Sequence, residues 1–173
     1  MKGGKMKACS FFGHRDTPQT EELKEKVKET VKRLIVEEDV KIFLFGSRSK
    51  FDELCHIVVT ELKEKYPDIR RIAYLCKHET ACLAGAGMDL SKTIKEVTGR
   101  DERVLEYEEI KKSDRINAAG STCYVERNQW MIENSRFLIV YLRETKEIDR
   151  KSGTLQAYKF AQKYGKEIFV LHD

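Results

Sequence analysis

The sequence predicts an α/β domain: a three-layer, Rossmann-like fold with a mainly parallel sheet covered by helices. Three observations carry this. Short apolar runs alternate with longer amphipathic stretches, as where Ala8–Phe12 is followed by the face Leu23, Val27, Val31, Leu34 and Ile35, spaced four, four, three and one. The runs are almost continuously apolar, as strands buried on both faces must be. Glycines follow several of these runs, where a strand has to turn into a helix. With 173 residues and 40% apolar content, one domain spanning residues 1–173 can bury a real core.

Taken in order, Ala8–Phe12 is the first strand and Gly13-His14-Arg15 its turn. Asp16 or Thr17 is the expected cap of the first helix, with Pro18 in its first turn. Lys41–Phe45 is the second strand, ending in Gly46-Ser47-Arg48-Ser49. The helix after it should bury Phe51, Leu54, Val58 and Leu62, and Pro67 breaks the chain beyond. Ile69–Cys76 is the third strand. From 77 to 103, Gly85, Gly87 and Gly99 interrupt the pattern, and only a helix from Asp89 to Val97 is legible. Val104–Tyr107 reads as a short strand and 108–120 as polar loop. A polar helix carrying Arg127 then leads into the apolar run Phe137–Leu142, with Val125, Met131 and Ile132 facing inward. After a charged loop, Ser152-Gly153-Thr154 opens a last helix, which contains Leu155, Phe160 and Ala161 and ends at Gly165. Ile168–Leu171 completes a sheet of five or six strands.

Composition narrows the function classes. The net charge of +4 is mild, and lysines interleave with glutamates, as in Glu21-Glu22-Leu23-Lys24-Glu25-Lys26. That is a solvated helix face, so nucleic-acid binding is not expected. The longest apolar run has six residues and cannot span a bilayer, and the first residues show no secretory signal. Cys9, Cys55, Cys76, Cys82 and Cys123 are odd in number and scattered, which predicts reduced thiols and a cytoplasmic location. Cys76, His78 and Cys82 lack a paired CxxC spacing, so no metal is assigned, and no cofactor either. His56 and His172 have no partner in the sequence.

The residues that can carry chemistry gather at strand ends. In a doubly wound sheet, ligands bind outside the carboxyl ends of the strands. Gly13, Gly46 and Gly153 all fall there. Any one of them is better explained as a plain turn. Three together, two followed within two residues by Arg15 or Arg48, point to an anion site. Arg127 by itself reads as a solvated helix arginine, and Trp130 as helix packing that leaves base stacking open. A side chain at position 153 is expected to displace a bound anion or strain the turn.

Several modest motifs recur in a known order: Phe12-Gly13-His14-Arg15, Phe45-Gly46-Ser47, the Arg-Asn-x-Trp-Met pattern within Tyr124–Met131, Glu133-Asn134-Ser135, and Ser152-Gly153 with Ala161 before Gly165-Lys166. Together they resemble the SLOG superfamily, named after the Smf/DprA and LOG proteins, and within it the small stand-alone YpsA-like domains. The resemblance runs from Ala8 to Asp173 and is poorest in 77–103. It implies a Rossmann-like domain that binds a nucleotide or nucleotide-derived small molecule, and it allows a homodimer. LOG enzymes cleave the N-glycosidic bond of nucleoside 5′-monophosphates with a helix arginine and the glutamate of PGGxGTxxE. Arg127 matches the arginine. Ala157 stands where the glutamate belongs, and no acidic residue occurs between Ser152 and Lys166. Glu126, Asp16 or Asp52 are the carboxylates left to substitute, so whether the protein is an enzyme stays open.

The expectation is therefore a sensor or regulatory protein that binds its ligand at the carboxyl edge of the sheet. Gly13, Gly46 and Gly153 would admit the ligand to the backbone, and Arg15, Arg48 and Arg127 would carry phosphate charge. His14 would donate to the phosphate or act as acid or base. Ser47, Ser152 and Thr154 would add donors, and Tyr124, Asn128 and Trp130 would meet base or ribose. The alternatives are a phosphoribohydrolase with Arg127 as its candidate catalytic residue, and a single-strand binder like the Smf/DprA branch.

Overall fold

The structure is a computed structural model, and it describes residues 6–46, 49–75, 107–112, 122–143 and 152–172. Six strands form one sheet: β1 (Ala8–Phe12), β2 (Ile42–Phe45), β3 (Arg70–Leu75), β4 (Glu109–Lys112), β5 (Phe137–Tyr141) and β6 (Glu167–Leu171). Their order is β4-β3-β2-β1-β5-β6, and every neighbouring pair is parallel. Four helices are described: α1 (Glu21–Glu38), α2 (Lys50–Lys65), α3 (Thr122–Glu133) and α4 (Gly153–Lys163). This is a three-layer α/β Rossmann-like fold.

The layers follow from strand alternation. Cys9, Phe11, Phe43, Phe45, Phe137, Ile139 and Tyr141 pack against Leu23, Val27, Val31 and Leu34 of α1 and Leu54, Val58 and Leu62 of α2. The opposite side chains, Ala8, Phe12, Leu44, Leu138 and Val140, meet Met131 and Ile132 of α3 and Ala157 and Ala161 of α4. Each strand residue points to one face or the other with period two, so a strand needs apolar side chains throughout. Every predicted buried position of α1 and α2 is buried.

Local caps differ in detail from the sequence reading. Thr20, rather than Asp16 or Thr17, caps α1 and accepts from Leu23 N. Thr17 is held back because its Oγ1 donates to the His14 carbonyl at 2.6 Å. Ser49 caps α2 and accepts from Asp52 N at 2.9 Å. Gly165 takes a left-handed φ of 65° just beyond α4, a conformation that suits glycine because it has no Cβ. The residues of the expected 89–97 helix, the three glycines of that stretch, and Cys76, His78 and Cys82 lie outside the described residues. Cys9 and Cys55 are buried and free, and burial pushes both thiols up. No helix among the described residues is long and apolar enough to cross a membrane.

The fourth strand is a correction. It occupies Glu109–Lys112, inside the stretch expected to be polar loop, and Tyr107 precedes it rather than ending a strand. The strand is charged because it lies at the sheet edge, where one side needs no partner and charge discourages further pairing.

Arg71 staples this edge to the sheet. The residue is 5% exposed. Its Nε donates to Glu108 Oε2 at 3.0 Å, its Nη2 to Oε1 at 2.8 Å, and its Nη1 to Thr60 Oγ1 at 3.0 Å. The Arg71 amide also donates to Glu108 Oε2 at 2.8 Å, and Lys63 adds a 3.2 Å ion pair. His56, buried beneath, has Nδ1 3.3 Å from Thr60 Oγ1 and its ring edge-on to Phe45 and Tyr107. Partial burial raises the Glu108 pKa, but the Arg71 hydrogen bonds and charge outweigh it and hold the carboxyl at about 2, below the usual 4.5. A depressed carboxyl stabilises the fold above its unfolded pKa and loses that contribution as pH falls through the folded one. Glu108→Gln is therefore expected to cost about 1–2 kcal/mol near neutral pH. In urea titrations the gap from the parent should close as pH drops from about 4.5 towards 2.

Candidate functional site

The chain visits β1 to β4 on one side of the sheet, then crosses back to place β5 on the free edge of β1. The turns after β1 and β5 thus lead to helices on opposite faces, which opens a crevice between them at their carboxyl ends. A cleft of about 580 Å³ lies there.

Its floor is the β1 turn, Gly13 to Asp16, with Leu142 and Arg143 just beyond β5. The turn is seated on α2: Lys50 N donates to the Arg15 carbonyl at 3.1 Å, and Gln19 Nε2 to the Lys50 carbonyl at 2.8 Å. Gly13 is required by packing, since a Cβ would come within 2.3 Å of the Phe51 side chain. Arg143 ties the two turns together. Its amide donates to His14 Nε2 at 3.4 Å, and its Nη2 reaches the Asp16 carbonyl at 3.0 Å and Asp16 Oδ1 at 3.1 Å. The Asp16 carboxyl sits below its usual range, held there first by its own backbone amide and then by Arg143.

One wall is Gly46, Ser49 and Asp52. Asp52 is 7% exposed. A Cβ at position 46 would lie 3.2 Å from Asp52 Oδ2 and 3.2 Å from Arg127 Nη2. Gly46 therefore lets a carboxylate and a guanidinium close in over the end of β2.

The facing wall is α3, through Tyr124, Arg127, Asn128 and Met131. Those four positions form an i, i+3, i+4, i+7 stripe. Arg127 is 7% exposed and its guanidinium lies 5.4 Å from the Tyr124 ring centre. The far end of α3 is fastened to β1. Ser135 Oγ donates to the Met131 carbonyl at 2.7 Å and is hydrogen-bonded to the buried Ser10 hydroxyl. Ser152, Gly153, Thr154 and Leu155 complete the rim. Ser152 caps α4 by accepting from Leu155 N at 3.4 Å. The first turn of a helix offers amide groups without intrahelical partners.

Of the residues named from sequence, Gly13, His14, Arg15, Gly46, Tyr124, Arg127, Asn128, Ser152, Gly153 and Thr154 all line this one cleft. Ser47 and Arg48 lie outside the described residues. Trp130 does not line it. It falls off the α3 stripe, and its indole packs edge-on against Tyr74 at 4.4 Å, which corrects its expected place beside base or ribose. Arg127 is no solvated helix arginine. Val125 is half-buried and lines a neighbouring groove of about 360 Å³ between α3 and α4. Ala157 lines that groove too, and not the cleft.

Arg143 was missed from sequence. It lies two residues past β5, the same kind of position that drew notice to Arg15. Asp52 was weighed as a spare carboxylate, but its place beside Arg127 was not. Its signal was the Ser49 cap three residues earlier, which puts residue 52 in the first turn of α2. Among the described residues no group of three or more His, Cys, Asp and Glu side chains is arranged to hold a metal ion. No protein-family model and no curated protein matches this chain.

The glycines divide by packing. Gly153 has nothing within 4 Å of a built Cβ, and its φ is not positive, so a side chain there strains nothing. Gly13→Ala is expected to cost about 1–3 kcal/mol by overpacking. Gly153→Ala should stay within about 0.5 kcal/mol of the parent, as an open helix-terminal position allows. Denaturant midpoints of the two variants decide this, and equal losses would refute it.

Proposed function

We propose that the protein binds a nucleotide or nucleotide-derived small molecule at the carboxyl edge of its sheet and acts as a sensor or regulator, in keeping with a SLOG-like, YpsA-like domain. One observation carries the reading. Arg15, Arg127 and the first turn of α4 converge on a single cleft at the switch point of the sheet. Arg143 adds a third guanidinium. Planar guanidinium forks and a helix N-terminus suit a phosphate or pyrophosphate. The partly apolar surround, with Phe11, Phe12, Met131 and Leu142, suits the remainder of such a ligand.

Phosphoribohydrolase activity is the second reading, favoured by one feature. Asp52 brings a buried carboxylate into the cleft that holds Arg127, and a carboxylate there can stabilise an oxocarbenium-like transition state. Position 157 supplies no such group. Single-strand binding in the manner of the Smf/DprA branch draws no support from helices whose charges alternate in sign.

A thermal-shift screen with nucleoside monophosphates, ADP-ribose, NAD and cyclic nucleotides tests the first reading. A true ligand at 100 times its Kd should stabilise the protein by about 2.7 kcal/mol. Arg127→Ala should remove that gain, and a screen with no hit would refute the proposal. Incubation with AMP is expected to release no adenine. Release that Asp52→Asn abolishes would establish the enzyme instead.

A further inference from the structure

We infer that the Asp16 carboxylate is a stand-in anion on Arg143, and that a ligand phosphate entering the cleft displaces it. This rests on the proposed phosphate-binding role of the cleft and specifies how one of its arginines is held and released. Two guanidinium groups of the cleft already stand beside a carboxylate, Arg127 beside Asp52 and Arg143 beside Asp16. The two pairs differ in burial. Asp52 and Arg127 are each 7% exposed, and separating charges that are out of water leaves both uncompensated. The Asp16 side chain is 74% exposed and that of Arg143 34%. Water is at hand for both when they part, so this pair is the exchangeable one.

Arg143 and Asp16 both line the cleft, and Arg143 Nη2 lies 3.1 Å from Asp16 Oδ1. A carboxylate there carries the charge sign of the ligand, so it occupies the arginine and repels the incoming anion. A phosphate is the stronger partner. It carries up to two charges, presents oxygens at the spacing of a guanidinium fork, and meets Arg15 in the same cleft. The turn does not need the carboxylate to keep its course. The Arg143 amide donates to His14 Nε2 at 3.4 Å, the Thr17 hydroxyl to the His14 carbonyl at 2.6 Å, and the Lys50 amide to the Arg15 carbonyl at 3.1 Å. Exchange therefore moves a side chain and leaves the backbone in place.

The alternative is that Asp16 positions Arg143 for the ligand and stays with it. The two roles predict opposite changes. Calorimetry at one ionic strength measures the affinity of inorganic phosphate and of pyrophosphate for the parent and for Asp16→Asn, and a crystal structure of the parent with the bound anion shows where Arg143 lies. Asp16→Asn is expected to bind the anion about two- to fivefold more tightly, the range by which an exposed ion pair shifts an equilibrium. In the complex, Arg143 should contact a ligand oxygen and stand more than about 4 Å from the Asp16 carboxylate, beyond ion-pair distance. Equal or weaker binding by Asp16→Asn overturns the inference and leaves phosphate binding standing. So does a complex in which Arg143 keeps its pair with Asp16, because any gain in Asp16→Asn then comes from lost repulsion alone. If neither protein binds either anion, the phosphate reading falls, and this inference with it.

Discussion

β1 is hydrogen-bonded on both edges, to β2 and to β5, and all five of its residues are buried. No other strand ties both halves of the sheet together, and the site hangs from that constraint. The chain leaves β1 at its carboxyl end and must first build everything on one side before it returns to the other. The turn after β1 and the turn after β5 therefore diverge from neighbouring strands, and the cleft lies between them. Gly13 serves the same geometry, because the turn passes so close under Phe51 that no side chain fits.

Polar groups in the interior stand where elements meet. Ser10 and Ser135 join β1 to the end of α3. Arg71 and Glu108 join β3 to the edge strand β4, with Thr60 and Lys63 reaching in from α2. Arg127 and Asp52 face the end of β2 from α3 and α2. Apolar burial is non-directional and makes the layers adhere without fixing how they are set. Hydrogen bonds and ion pairs are directional, and misplacing one leaves a buried group unsatisfied. The β4 edge illustrates this. Its residues Glu109, Lys111 and Lys112 carry little apolar surface, so Arg71 and Glu108 supply the anchorage that a hydrophobic strand would draw from packing.

The cleft is mixed in charge. Arg15, Arg127 and Arg143 face Asp16 and Asp52. Arg143 and Asp16 engage each other and lock the two turns. A surface for a long polyanion would repeat one sign of charge along a groove.

The sequence alone determined the layered α/β fold, five of the six strands, and the buried faces of α1 and α2. The reason is that strand and helix periods are local properties of spacing and need no knowledge of distant residues. It also put most of the cleft at strand ends, since glycine turns mark where backbones reverse. Tertiary structure decided the rest. β4 was illegible because an edge strand is shaped by its neighbour and can be charged. Trp130 read as helix packing, and it does pack on Tyr74, while the ligand role left open for it rested on adjacency to Asn128, which says little about which helix face a residue occupies. Arg127 looked solvated by spacing, yet it is buried because its part of α3 meets the end of β2 at Gly46. Asp52 and Arg127, 75 residues apart in the chain, meet only because α2 and α3 flank the same crevice, and no local pattern records such a meeting.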